Sequence, residues 1–143
     1  MRALLVGFGH PLRRDDGVGL WVASRLEGTE GIEVVSGQVL TPELIPKVAE
    51  ADLVLFVDAR AGTGPVRWER LQPSSPPGLA HSLSPSALLA WGQRLFGRIP
   101  EAWLVTVPAK DFDIGEGLSP GTFRAASGLV DRIRTYIAER GKG

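Results

Sequence analysis

Leu53-Val54-Leu55-Phe56-Val57-Asp58 is the stretch that most narrows what this chain can fold into. An unbroken apolar run leaves no polar face for solvent, so a strand made of it has to be covered on both sides. That is the situation of a parallel strand in a sheet with helices above and below. The run stops on a carboxylate. An aspartate ending a central strand is paired, hydrogen-bonded or coordinating, and the carboxyl ends of strands are where open α/β sheets bind ligands.

The remaining segments supply matching elements. Ala3 to Val6 reads as a first buried strand, Val18 to Leu26 as a helix and Ile32 to Ser36 as a short second strand. Thr41-Pro42 looks like an N-cap followed by proline at the first helical position. The helix it opens runs to about Ala51, with a distorted or late-starting first turn because of Pro46. Val66 to Leu71 alternates apolar and charged residues and follows the third strand after only Gly62-Thr63-Gly64-Pro65. That link is too short for a helical crossover, so the segment is predicted to pair antiparallel, at an edge that suits its charges. Gln72 to Ser84 is a loop, and Ser84-Pro85 opens a helix ending near Gly97. Trp103 to Val107 is the last buried strand, Pro108 to Leu118 a second loop, and Ser119-Pro120 the start of a C-terminal helix. Its apolar stripe is Phe123, Ala126, Val130, Ile133 and Ile137. The order β-α-β-α-β-β-α-β-α predicts a three-layer α/β/α sandwich on a mostly parallel five-stranded sheet with one antiparallel edge strand. No repeat or linker divides it, so residues 1–143 are expected to form a single domain.

Composition removes several function classes. There is no cysteine, which excludes a disulfide framework, a thiolate metal site and a cysteine nucleophile. Lys+Arg and Asp+Glu balance at 16 each, which argues against a nucleic-acid surface. No run approaches the roughly 20 apolar residues of a membrane span. Met1 to Val6 is too short for a signal peptide, so a cytoplasmic protein is expected.

The chemistry-bearing residues concentrate after the first strand, in Gly7-Phe8-Gly9-His10-Pro11-Leu12-Arg13-Arg14-Asp15-Asp16-Gly17-Val18-Gly19. A dinucleotide fingerprint would need a third glycine where Leu12 stands, which counts against nucleotide binding. Either aspartate, Asp15 first, can cap the helix that follows. Both cannot do so equally well, so one points toward solvent or a cation. Asp58 could be neutralised by Arg13, Arg14 or Arg60, or belong to a site. His81, in a proline-rich loop, and His10, inside the motif, are the two histidines. One imidazole with two carboxylates is a donor set for nickel or zinc. A nucleophile arrangement of Ser82 or Ser84 with His81 and Asp58 lacks the usual elbow motif. Taken residue by residue, these readings stay open.

The motif as a whole resembles the G-x-G-N-x-L-x-x-D-[DE]-G-x-G signature of the hydrogenase maturation endopeptidases, which process the large subunit of nickel-iron hydrogenases. The resemblance continues through Leu55-Phe56-Val57-Asp58-Ala59, a histidine ahead of the third long helix, and Gly117-Leu118-Ser119-Pro120. It implies a twisted, mainly parallel sheet between helices. It also implies three metal-contacting and catalytic side chains, which fall here on Asp16, Asp58 and His81, in an aspartyl-type or metal-dependent endopeptidase. The implied substrate is the large-subunit precursor with nickel already inserted, from which a C-terminal extension is removed. Nickel would then be carried by the substrate, with cadmium or zinc able to take its place in crystals, and neither nucleic acid nor membrane would be a partner. The motif's glycines would let the substrate peptide approach Asp16. Two departures stand out: His10 replaces the family's asparagine, and Ala109-Lys110 follow Val107-Pro108 where an acidic residue is frequent. The competing expectations are a non-catalytic metal-binding or chaperone-like module and a nucleotide-binding α/β domain.

Overall fold

The computed structural model describes residues 1–74 and 83–141. Its strands are β1 (Ala3–Phe8), β2 (Glu33–Gly37), β3 (Leu53–Ala61), β4 (Arg67–Arg70) and β5 (Glu101–Ala109). Its helices are α1 (Val18–Leu26), α2 (Ile45–Glu50), α3 (Pro85–Phe96) and α4 (Pro120–Gly141). The sheet order is β2-β1-β3-β5-β4. β1 lies parallel to β2 and β3, β3 parallel to β5, and only β4 runs antiparallel, against β5 at the edge. The predicted sandwich is therefore the observed one.

Apolar residues of each central strand face alternate layers. Ala3, Leu5, Leu53, Leu55, Val57, Val105 and Val107 pack against α1 and α4, while Leu4, Val6, Val54, Phe56 and Ala102 pack against α2 and α3. Two buried faces are why these strands read as unbroken apolar runs. The chain leaves β1 through α1 on one face and reaches β3 through α2 on the other, so the loops beyond β1 and β3 diverge. The crevice between their carboxyl ends is the switch point of the sheet.

The local expectations hold in most places. A 3-10 turn over Pro42–Leu44 precedes α2, so the regular helix does begin late. Ser84 caps α3 by accepting from the Ala87 N–H at 3.1 Å, and Gly97 closes it at φ 71°. Two features differ. β5 inserts between β3 and β4, so the short link joins strands that are not neighbours. β3 and β5 are nine-residue strands paired over their full length, and that buried ladder outweighs a local hairpin. Arg60 then fixes the link by donating to the carbonyls of Thr63 (3.3 Å) and Pro65 (2.8 Å). On α4, Phe123 is not on the buried stripe. It is 49% exposed, with its ring set edge-on to Trp21 at 5.4 Å, while Thr122 and Leu129 are buried. Thr122 turns inward because its hydroxyl reaches a buried carboxylate.

The glycines of the opening motif serve close packing. A Cβ on Gly7 would lie 2.2 Å from the carbonyl oxygen of Gly19, and a Cβ on Gly19 would lie 2.3 Å from that of Val57. Helix α1 thus starts against the bare backbone of β1 and β3. The space expected to admit a peptide is filled by the protein's own main chain, which corrects that reading of these two glycines. Gly19→Ala is expected to lose about 1–3 kcal/mol through overpacking, read as a lowered midpoint in thermal denaturation. An unchanged midpoint would show that the contact gives way freely. Among the described residues no helix is long and apolar enough to cross a membrane.

Candidate active site

The adjacent aspartates have opposite surroundings. Asp15 is fully buried and accepts five hydrogen bonds: from the N–H groups of Lys110 (2.9 Å), Asp111 (3.0 Å) and Ser119 (2.7 Å), and from the hydroxyls of Ser119 (2.7 Å) and Thr122 (3.0 Å). Neither the 3-10 turn Arg14–Gly17 nor α1 carries a side-chain cap. Asp15 instead serves the start of α4, far along the chain, which corrects its expected role at α1. Burial pushes its carboxyl up, but the bonds from Ser119, Lys110 and Asp111 outweigh burial and hold it well below the usual carboxylate range. It is a charged latch between the opening loop and the loop after β5.

Asp16 is half-buried, and one carboxylate oxygen accepts the His10 N–H at 2.9 Å. Gly9, at φ 147°, is required there, since a Cβ on it would stand 2.0 Å from the carbonyl oxygen of Asp16. Asp58, near the carboxyl end of β3, is also half-buried and accepts its neighbour Ala59's N–H at 2.8 Å. The arginines proposed to neutralise it are occupied elsewhere. Arg14 pairs with Asp111 at 3.6 Å, Arg60 donates to Thr106 and the β3–β4 link, and Arg13 donates to the Phe112 carbonyl at 3.3 Å. Among the described residues Asp58 has no ion pair. Burial pushes its carboxyl up to about 6; the Ala59 N–H opposes this and the negative charge of Asp16 adds to it.

Each of these two carboxylates keeps one oxygen that takes no hydrogen bond from the described residues. Two like charges at the switch point can be relieved by a proton on Asp58 or by a cation between them. A carboxyl group that titrates near 6 can also move a proton near neutral pH. In the metal-free protein, ionised Asp58 destabilises the fold. The effect is absent below the ordinary value of 3.8 and complete above about 6. Asp58→Asn is therefore expected to be more stable than wild type at pH 8 by about 2 kcal/mol, allowing for partial solvent screening. The gain should fade as pH drops toward 4, read as urea midpoints at the two pH values. A pH-independent difference would contradict this account of Asp58.

His81 falls in 75–82, outside the described residues. Two positions later, Leu83 is buried in the core on the α2/α3 side, with its N–H bonded to the Leu40 carbonyl at 2.9 Å. By strand alternation Asp58 falls on that side too. Among the described residues no three histidine or acidic side chains cluster at metal-binding distances. His10 is exposed, and its Nδ1 accepts the Leu12 N–H at 3.2 Å. An asparagine oxygen makes this same bond to the residue two further on, so the imidazole replaces it within the turn. Lys110 gives Asp15 only its main-chain N–H, so an acidic side chain is not required at that place. The residues sequence reasoning missed are Ser119 and Thr122. The sequence marks Ser119 only as a helix start, and their shared carboxylate lies more than a hundred residues away.

The sheet, its helices and the carboxylate pair define an open α/β sandwich with an acidic site at the β1/β3 switch point. Solved structures with this fold include the hydrogenase maturating endopeptidase HybD from E. coli, with a TM-score of 0.77, 23% identity, and 99% of this chain and 94% of that one covered. The [NiFe] hydrogenase maturation protease HycI from Thermococcus kodakarensis KOD1 gives 0.75 and 22%, covering 96% of this chain and 92% of that one. HybD from the same archaeon gives 0.72 and 21%, covering 96% and 99%. At these identities the likeness is one of fold. No protein-family model matches the chain, and no curated protein does.

Proposed function

We propose that this chain is a metal-recognising endopeptidase that removes a C-terminal extension from the precursor of a nickel-iron hydrogenase large subunit after nickel insertion. The observation that carries the reading is the pairing of Asp16 and Asp58 at the switch point. They lie close enough for one charge to raise the other's pKa, and neither has a basic partner among the described residues. The opening motif and the fold shared with solved maturation proteases support the same reading.

In this account Asp16, Asp58 and His81 contact a nickel ion that arrives with the precursor and leaves with the product. The free oxygens of the two carboxylates suit a divalent cation, and imidazole is a compatible third donor. The substrate's ion supplies Lewis acidity at the scissile carbonyl. Asp16 is held in place by the His10 N–H, so its free oxygen has a fixed direction. A carboxylate held beside the ion can take a proton from the attacking water and pass it to the leaving amine, and the raised pKa of Asp58 describes its state before the ion arrives. The partner is a protein, and a cytoplasmic setting fits its synthesis there.

Incubation with a nickel-loaded large-subunit precursor tests this. A product shortened at its C-terminus, absent with the nickel-free precursor, is expected. Binding of the loaded precursor without cleavage would favour a non-catalytic metal-binding module. Thermal stabilisation by a dinucleotide, with no response to nickel or cadmium, would favour a nucleotide-binding domain.

A further inference from the structure

Beside Asp16 lies an open cleft of about 670 Å³ lined by His10, Leu12, Arg13, Phe112, Asp113 and Ile114. Its volume is in the range of ligand pockets, roughly 300–1,000 Å³. One wall comes from the opening loop and the other from the loop between β5 and α4. Leu12 is 51% exposed and Ile114 89% exposed, one on each wall, so apolar surface is open to solvent on both sides of the cleft.

The two walls are tied to each other by hydrogen bonds. Gly115 N–H donates to the Leu12 carbonyl at 2.8 Å, Arg14 N–H to the Gly115 carbonyl at 3.1 Å, and Asp15 N–H to the Asp111 carbonyl at 2.9 Å. Arg13 Nε reaches the Phe112 carbonyl at 3.3 Å. The Asp15 carboxylate ties the same two loops together from below. One residue links the cleft to the acidic site: His10 lines the cleft, and its N–H donates to Asp16 at 2.9 Å. Arg13 and Asp113 stand at its rim without ion pairs among the described residues. The lining thus sets apolar Leu12, Phe112 and Ile114 among polar His10, Arg13 and Asp113, a mixture typical of protein-recognition surfaces.

We infer that this cleft is a specificity pocket: it takes an apolar side chain of the substrate polypeptide close to the scissile bond, with Leu12, Phe112 and Ile114 as the selecting residues. The inference rests on the proposed peptidase function for its substrate, and on the cleft alone for its chemistry. A cleft joined to the acidic site through His10 selects by differential binding, where loss of a well-placed apolar contact changes discrimination about tenfold or more.

The test uses the full chain in two arms. In cleavage of the nickel-loaded precursor, Ile114→Ser and Leu12→Ser are expected to raise KM about tenfold with a much smaller change in kcat. Among precursors with Asp placed in turn at each position flanking the cut, at least one should show the same loss on wild type and little further loss on Ile114→Ser. In the second arm, backbone NMR follows addition of the capped peptides acetyl-Gly-Ile-Gly-amide and acetyl-Gly-Asp-Gly-amide. The amides of Leu12, Arg13, Asp113, Ile114 and Gly115 should shift with the first peptide and not the second, and Ile114→Ser should abolish the shifts. Unchanged KM in both variants, or peptide shifts absent or equal for the two, would overturn the inference. If wild type fails to cleave the precursor but the isoleucine peptide still shifts these amides, the cleft stands and the peptidase reading falls. A concentration-dependent dimer lost in Ile114→Ser would overturn the inference in favour of self-association.

Discussion

Asp15→Ala is expected to lose about 3–5 kcal/mol of stability, the scale seen when one partner of a buried charged network is removed. The substitution deletes the acceptor for three main-chain N–H groups and two hydroxyls. These donors face each other across two loops and the start of α4, so local relaxation cannot hydrate all of them without opening the latch. For a domain of this length the loss corresponds to a fall in Tm of roughly 10 °C or more. Asp15→Asn should lie between, since its amide oxygen still accepts while its NH2 group faces donors. The sign with pH follows from the depressed pKa. Asp15's contribution is fully present above the unfolded value of 3.8 and is lost as pH falls through the folded value. Wild type should therefore lose stability on acidification more steeply than Asp15→Ala below pH 4. A Tm within 3 °C of wild type would contradict the role of Asp15.

Asp16→Ala is expected to abolish precursor cleavage, by about a thousandfold or more, while the fold survives. The structural loss is one hydrogen bond, from His10, worth about 1.5–3 kcal/mol for a charged acceptor. The chemical loss is one of the two carboxylates that face the switch point. Asp16→Asn separates these effects, because its amide oxygen keeps the His10 bond and only the charge is removed. It should be as inactive as Asp16→Ala but nearly as stable as wild type. It should also lower the titration midpoint of Asp58 from about 6, since Asp16's charge is one of the causes that raise it. Carboxyl-selective NMR reads that shift directly. Cleavage at a wild-type rate by Asp16→Asn would sink the assignment.

The contrast between neighbouring Asp15 and Asp16 shows how much of this molecule was legible in its sequence. The apolar run Leu53–Val57 specified a doubly covered strand, and the acid after it marked where β3 parts from β1, although β3 itself continues to Ala61 along β5. Those two facts place Asp58 without any coordinates. The late start of α2 was legible in Pro46, because proline's lost donor acts locally. What stayed hidden depended on contacts distant in sequence. Nothing near Asp15 shows that its partners lie at Lys110, Asp111, Ser119 and Thr122, so a local helix cap was the natural reading. Phe123 fits the helical period of α4, yet lies outside because Thr122 is drawn inward by that same carboxylate. The insertion of β5 between β3 and β4 is likewise a competition between a short link and a long buried ladder. The glycines at positions 7 and 19 signalled close approach correctly, but what approaches is the chain's own backbone.

The proposal that Asp16 and Asp58 share an ion with His81 is most directly tested by anomalous scattering from a crystal soaked in nickel or cadmium. The account predicts one strong anomalous peak between the two carboxylates, with ligands from Asp16, Asp58 and His81. A metal peak elsewhere on the molecule, or His81 turned away from an ion held by the aspartates, would contradict it.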